Sequence, residues 1–309
     1  MTRNITSAYD GDKLTVDSML KDPTWIPQRV INYLDGAFVE AALFRNGGSN
    51  DSGVVAFREA ADPFLDEDAE EVAEFAEIPV STIGDGKVRS VIGQKTAKAI
   101  RISYEMRHEN KVDRVSQQIT ALQRTMIRSG VNAALAAFNG ASTPNAPASA
   151  AWTGSTGDPA KDIFDAIEEI ESAGFEGDET KNFGYSPNAI LAHPRALTTL
   201  IRNDKIQSKY IGDLASENPI YKGTLPFTIC GLTPLRSRWM DPTKVIVLET
   251  GVAGFYSDTY PLQMTPVYEE GGNSGAGGPN MSWRSDAFRK RILGVDNPGA
   301  VFTITGISS

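Results

Sequence analysis

Lys98-Ala99-Ile100-Arg101-Ile102-Ser103-Tyr104-Glu105-Met106, running on to Val112, Val115, Ile119, Leu122, Met126 and Ala133, is the stretch whose reading decides the fold. Ile100, Ile102 and Tyr104 alternate, so they share one face of a strand. From Asn110 the spacing changes to three and four, which places the next apolar residues on one helical stripe. Arg114, Gln118, Arg124 and Arg128 lie off it. Gly130 weakens this helix without ending it, and the pattern runs to Phe138, long for a globular helix.

Upstream, Ile78-Pro79-Val80-Ser81-Thr82-Ile83, the turn residues Gly84-Asp85-Gly86-Lys87, and Val88 to Ile92 complete a β-hairpin from Ile78 to Tyr104. An isolated hairpin is marginal in water, so this one must lie on its own subunit or on another chain. The residues before it read poorly as a compact unit. Val30, Leu34, Phe38 and Ala41 mark a short helix, and Arg45 to Gly53 is a turn-rich run. Residues 1–61 are read either as a mobile tail or as an arm that orders against a neighbour.

Downstream, Asn139-Gly140 opens a Ser-, Thr-, Pro-, Ala- and Gly-rich linker to Gly157. Asp158-Pro159 is an N-cap and first-turn pair, and Ile163, Ile167 and Ile170 stripe the helix it starts. Strands at Asn188–Ala192, Phe227–Gly231 and Lys244–Leu248 alternate with helices, as in a compact mixed domain over 158–268. A glycine-rich loop, Gly271 to Gly278, precedes two final strands, Ser285 to Leu293 and Ala300 to Ile307.

The bulk composition narrows the function. The chain has 309 residues, 40% hydrophobic and 22% charged, with a net charge of -9. It is ordered and too acidic to read as a general nucleic-acid binder. One cysteine, Cys230, cannot form an internal disulfide, which points to a reducing compartment. The first ten residues lack the apolar segment of a signal peptide, and no stretch is apolar enough to cross a membrane.

Candidate chemistry is sparse. The Gly271–Gly278 loop lacks a Gly-Lys-Ser/Thr ending and a following helix, so it reads as a loop and not a phosphate site. His108 and His193 have no Cys or His partner at metal spacing, and His193 before Pro194 suits a capping role. Cys230 reads as a small core residue of a strand, and a Cys230–His193 dyad has no support in the sequence. No catalytic, cofactor-binding or metal residue is assigned. What stands out is charge. Asp66, Glu67, Asp68, Glu70, Glu71 and Glu74 form an acidic run, while Lys87, Arg89, Lys95, Lys98 and Arg101 are spread along the hairpin. These eleven residues are the candidates for contacts between subunits, acidic run against cationic hairpin. The acidic helix after Asp158 (Asp162, Asp165, Glu168, Glu169, Glu171) reads as a solvated face.

The order of elements resembles the tailed-phage major capsid family with the Hong Kong ninety-seven type fold. Asp62-Pro63-Phe64 through Ala76-Glu77-Ile78-Pro79-Val80 is similar to the entry of that family's extended loop. Lys98 to Met106 is similar to its return strand, and Ile190-Leu191-Ala192-His193-Pro194-Arg195-Ala196-Leu197 to its axial domain. The resemblance implies an α+β subunit: an N-terminal arm (1–61), an extended loop (62–104), a peripheral domain with a spine helix (105–157, helix 110–139), an axial domain (158–268) and return strands of the peripheral domain (269–309). It implies a virion shell protein, not an enzyme and without cofactors, which forms hexamers and pentamers in the host cytoplasm, enclosing double-stranded DNA beside scaffold, portal or decoration proteins and no membrane. It leaves no room for a cleaved scaffold segment before the arm, so a separate scaffold or none is implied. No motif identifies an acceptor for a lysine cross-link. Two alternatives remain: an encapsulin-like nanocompartment shell, which a co-purifying cargo would reveal, and a carboxylate-dependent hydrolase of the 158–268 domain, which would be a monomer or small oligomer with a deep pocket.

Overall fold

The computed structural model describes residues 14–60, 62–65, 67, 69–84, 86–154, 156–209, 228–272 and 274–308. Its axis is α5 (Val112–Gly140), the helix expected from the Val112–Ala133 stripe. Two apolar cores share this helix. Val115, Ile119, Leu122 and Met126 of its first half pack with α1 (Val16–Lys21) and α2 (Trp25–Leu34) against β4 (Gln94–Ser103) and β11 (Ser282–Gly294). Ala134 and Phe138 of its second half join α6 (Pro159–Glu171), α7 (Pro194–Arg202) and the strands beneath them. Each buried aliphatic side chain contributes about 1.5–3 kcal/mol, so each half is held by its own stripe.

The first sheet is centred on β11. On one side β11 pairs antiparallel with β4, from Ser282↔Ser103 to Arg291↔Gln94. On the other it pairs with β9 (Phe255–Met264) and the short β10 (Tyr268–Glu269). β1 (Arg45–Ser49) extends this sheet, parallel to β9. The second sheet has the order β5 (Asn145–Pro147), β12 (Val301–Thr305), β8 (Lys244–Leu248), β6 (Ala189–Ala192), β7 (Thr233–Arg236).

Several expectations are corrected. The antiparallel hairpin is formed by β2 (Val54–Glu59) and β3 (Lys87–Ile92), registered from Val54↔Ile92 to Glu59↔Lys87. The 78–83 segment is not a strand, and β4 turns away from β3 to pair with β11, where Ile100 and Ile102 find a core. Tyr104 starts α4 (Tyr104–His108) because the Ser103 side chain accepts from the Met106 amide and caps it. Neither reading of 1–61 describes residues 14–49. Val16, Met19, Ile26, Val30 and Leu34 are fully buried on the subunit's own helix α5, and the expected turn run contains β1. The helix expected through Ala41 is broken at Gly36, with φ 68°, into α2 and α3 (Val39–Leu43). The linker is docked: Trp152 is buried and donates its indole N–H to Asp162 at 2.7 Å, so Asp162 is a buried acceptor and not part of a solvated face. Phe227 lies outside the described residues. Cys230 and Gly231 form a turn with φ 51° and 82°, and the strand begins after them at Thr233. The sheets also divide the chain differently from the expected boundaries, since β9 joins the first sheet and β12 the second.

Candidate assembly surface

The β2–β3 hairpin leads into a long connection, 60–86, whose two legs are tied at the base. The Ala60 amide donates to the Asp296 carbonyl at 2.9 Å, and the Asp62 amide to the Gly84 carbonyl at 3.3 Å. Leu65 bridges Ile83, and the Glu67 amide donates to the Ser81 hydroxyl at 3.2 Å. Lys181 donates to the buried Asp62 carboxylate at 2.6 Å, fixing the base to the segment after α6. That hydrogen bond holds the Asp62 carboxyl below its ordinary value, helped by the Phe64 amide. A Cβ at Gly84 would come within 3.2 Å of the Asp62 side chain, so the two legs cross closely there and glycine leaves Asp62 undisturbed.

The described sequence candidates occupy three places. Lys87 and Arg89 lie on β3, and Arg89 is paired with Glu59 across the hairpin. Lys95, Lys98 and Arg101 lie on β4 in the main sheet, where Lys95 sits 5.2 Å from the Phe288 ring centre and Arg101 donates to Glu270 at 2.6 Å. The Arg101 bond holds the Glu270 carboxyl below the usual carboxylate range against the effect of burial. Glu67, Glu70, Glu71 and Glu74 are exposed on the connection, while Asp66 and Asp68 lie outside the described residues. Within one subunit the nine described candidates do not converge on a site, and Arg89 and Arg101 already have internal partners.

Apolar residues on the same connection were missed by that reading. Of the 17 large apolar side chains with high exposure among the described residues, ten lie between residues 54 and 92. Phe75 is 98% exposed, Val80 93% and Ile78 76%. The signal was present in Glu74-Phe75-Ala76-Glu77-Ile78-Pro79-Val80, but alternation there reads equally as a strand with one buried face.

The chemical candidates resolve into structural roles. His193 Nδ1 accepts from the Arg195 amide at 3.0 Å and caps α7. In the glycine-rich loop the Ser274 amide donates to the Glu269 carboxylate of β10 at 2.7 Å, so an acid beside the loop occupies a donor that a phosphate would need. Among the described residues no cluster of His, Cys, Asp and Glu could hold a metal ion, and no helix is long and apolar enough to cross a membrane.

Residues 87–303 match the profile of a family described as phage capsid protein, which is more than two thirds of the chain. The chain belongs to the phage capsid protein family. The fold of this capsid protein is that of the Hong Kong ninety-seven type, in keeping with its structural relatives. The capsid structure of the cyanophage P-SCSP1u is similar over 100% of this chain and 93% of its own, at TM-score 0.59 and 11% identity. A phage-related protein from Bordetella bronchiseptica is similar over 91% and 97%, at TM-score 0.58 and 13% identity. The subunit of a virus-like particle from Pyrococcus furiosus is similar over 90% and 97%, at TM-score 0.55 and 10% identity. No curated protein matches the sequence. As a capsid protein the chain is a structural component of a virion shell.

Proposed function

We propose that this capsid protein assembles as hexamers and pentamers into an icosahedral phage head around double-stranded DNA, and that the 60–86 connection packs on an adjacent copy. The observation that carries the contact is the row of exposed apolar side chains, Phe75, Ile78 and Val80 above all, on a segment with no core of its own. A soluble monomer rarely leaves such a contiguous patch bare. The flanking Glu67, Glu70, Glu71 and Glu74 suit a cationic rim, and Lys87, Lys95 and Lys98 of the neighbour are the candidates for it. Each exposed ion pair would contribute about 0–1 kcal/mol, so apolar burial provides most of the contact and charge sets its register. Portal, scaffold and decoration proteins would complete the head, with assembly in the host cytoplasm.

The likeness to the virus-like particle supports a second reading, a cellular nanocompartment shell. Purification of the assembled particles separates the two. Packaged double-stranded DNA is the result expected for the phage head, and a co-purifying enzyme cargo without DNA would overturn it. Sedimentation showing only a homogeneous monomer under all assembly conditions would overturn both.

A further inference from the structure

The solvent face of α5 differs in charge from the rest of the chain. Successive helical residues turn by about 100°, so Arg114, Gln117, Ala121, Arg124, Arg128 and Asn132 fall within an arc of about 80° and span about 27 Å. All six are exposed. The arc holds three arginines and no acid. Asp113, just outside it, is the helix's one carboxylate, so the helix carries +2 (three arginines less one aspartate) in a chain of net charge -9. Two neighbours extend the basic face. Gln123 donates to the Arg29 carbonyl at 3.5 Å, which docks α2, a helix without acids, on α5, and the exposed Arg29 guanidinium lies 5.2 Å from the Trp25 ring centre. Arg128 lies 5.9 Å from the ring centre of Trp239, which is itself exposed, and Arg238 next to it is exposed too. Among the described residues none of these arginines takes part in an ion pair.

We propose that this face binds the sugar-phosphate backbone of nucleic acid. The fork of a guanidinium matches a phosphate in two parallel hydrogen bonds, which a lysine cannot supply. Gln117, between Arg114 and Arg124, and Asn132, one turn beyond Arg128, are neutral donors that add contacts without repulsion. An exposed tryptophan beside an arginine is a platform for a base or sugar at the end of the stripe. The net charge of the chain averages over this face, so its acidity excludes a strong general binder but not a local, salt-sensitive contact. The inference concerns the isolated subunit and does not rest on the shell.

The test is fluorescence anisotropy of a short labelled DNA duplex titrated with the full chain, at concentrations where sedimentation detects no shells. The logarithm of affinity should fall linearly with that of salt between about 50 and 200 mM. Arg124→Gln with Arg128→Gln should lower the slope by about 2, since each lost phosphate contact removes about 0.9. Arg124→Lys with Arg128→Lys should keep the slope, and Lys161→Gln, at an exposed lysine of the acidic helix α6, should change nothing. Absence of salt-dependent binding by the unaltered chain, or an unchanged slope in the glutamine variant, overturns the proposal. A labelled polyglutamate that binds more tightly than the duplex, with the same arginine dependence, overturns it in favour of an acidic protein partner. Failure here leaves the shell reading intact, because shells are read in micrographs and not in this titration.

Discussion

Glu40 and Arg289 form a bidentate pair, at 2.8 and 2.9 Å, in which both side chains are almost wholly excluded from solvent. Arg291 donates to the same carboxylate at 3.1 Å and grips Asp258 with its other nitrogens at 2.7 Å. The pair joins α3 to β11 where the two halves of α5 divide their cores. Gly130 lies beneath it: a Cβ there would stand 2.9 Å from the Glu40 carboxylate and 3.1 Å from Arg289. The glycine that weakens the helix is what admits the ion pair.

Removing Glu40 leaves two guanidinium groups facing a site that water does not reach. Glu40→Gln should therefore cost about 3–5 kcal/mol in urea denaturation, the range for an uncompensated buried charge. Loss below about 1 kcal/mol would show that the pair is not closed to solvent.

Gly130→Ala tests the crossing from the helix side. Propensity alone predicts a gain of about 1 kcal/mol, whereas the contact with Glu40 predicts a loss. A lower melting temperature is the expected result, and a higher one would mean that α3 does not sit against the helix there.

Leu122 is buried between α5 and the first sheet. Leu122→Ala should cost about 2–5 kcal/mol, read as a shift in the denaturation midpoint. Unchanged thermal stability would contradict the packing of this face inside the subunit.

The base of the connection should respond to acid. The Asp62 carboxyl is depressed below 3.8, first by the Lys181 hydrogen bond. A depressed acid contributes stability above its unfolded value, and that contribution is lost as pH falls through the folded one. Protection of the Asp62 amide from hydrogen exchange, taken relative to the free-chain rate at each pH, should therefore fall below about pH 3.8, and Lys181→Met should lower it already at neutral pH. Equal exchange in both proteins at neutral pH would show that the Asp62–Lys181 contact does not hold the base.

The long helix, the α6 stripe and the two final strands were legible because a 3.6- or 2-residue period marks one buried face, whatever the partner. Strand partners were not, because period says which side is buried and not what covers it. β4 pairs with β11 some 180 residues away, and nothing local in Lys98–Ser103 names that partner. β1, Arg45-Asn46-Gly47-Gly48-Ser49, has almost no strand propensity. Its extended state comes from β9, which approaches closely: a Cβ at Gly47 would lie 3.1 Å from the Phe255 ring and 3.2 Å from the Tyr256 carbonyl. The charged contact candidates were visible as composition. The bare Phe75, Ile78 and Val80 were not, because exposure depends on a strand failing to form.

The loop itself can be probed without disturbing the fold. Phe75→Ser with Val80→Ser removes apolar surface that the subunit does not bury, so monomer stability should move by less than about 0.5 kcal/mol. Assembly, followed by sedimentation, should weaken or stop. Normal shells from this variant would remove the apolar contact from the account.

Electron cryomicroscopy of particles assembled from the unaltered chain tests the central claim most directly. The account predicts closed icosahedral shells in which Phe75, Ile78 and Val80 of each copy are buried against a neighbouring copy. Shells in which those three side chains still face solvent, or fields holding only dispersed monomers, would contradict it.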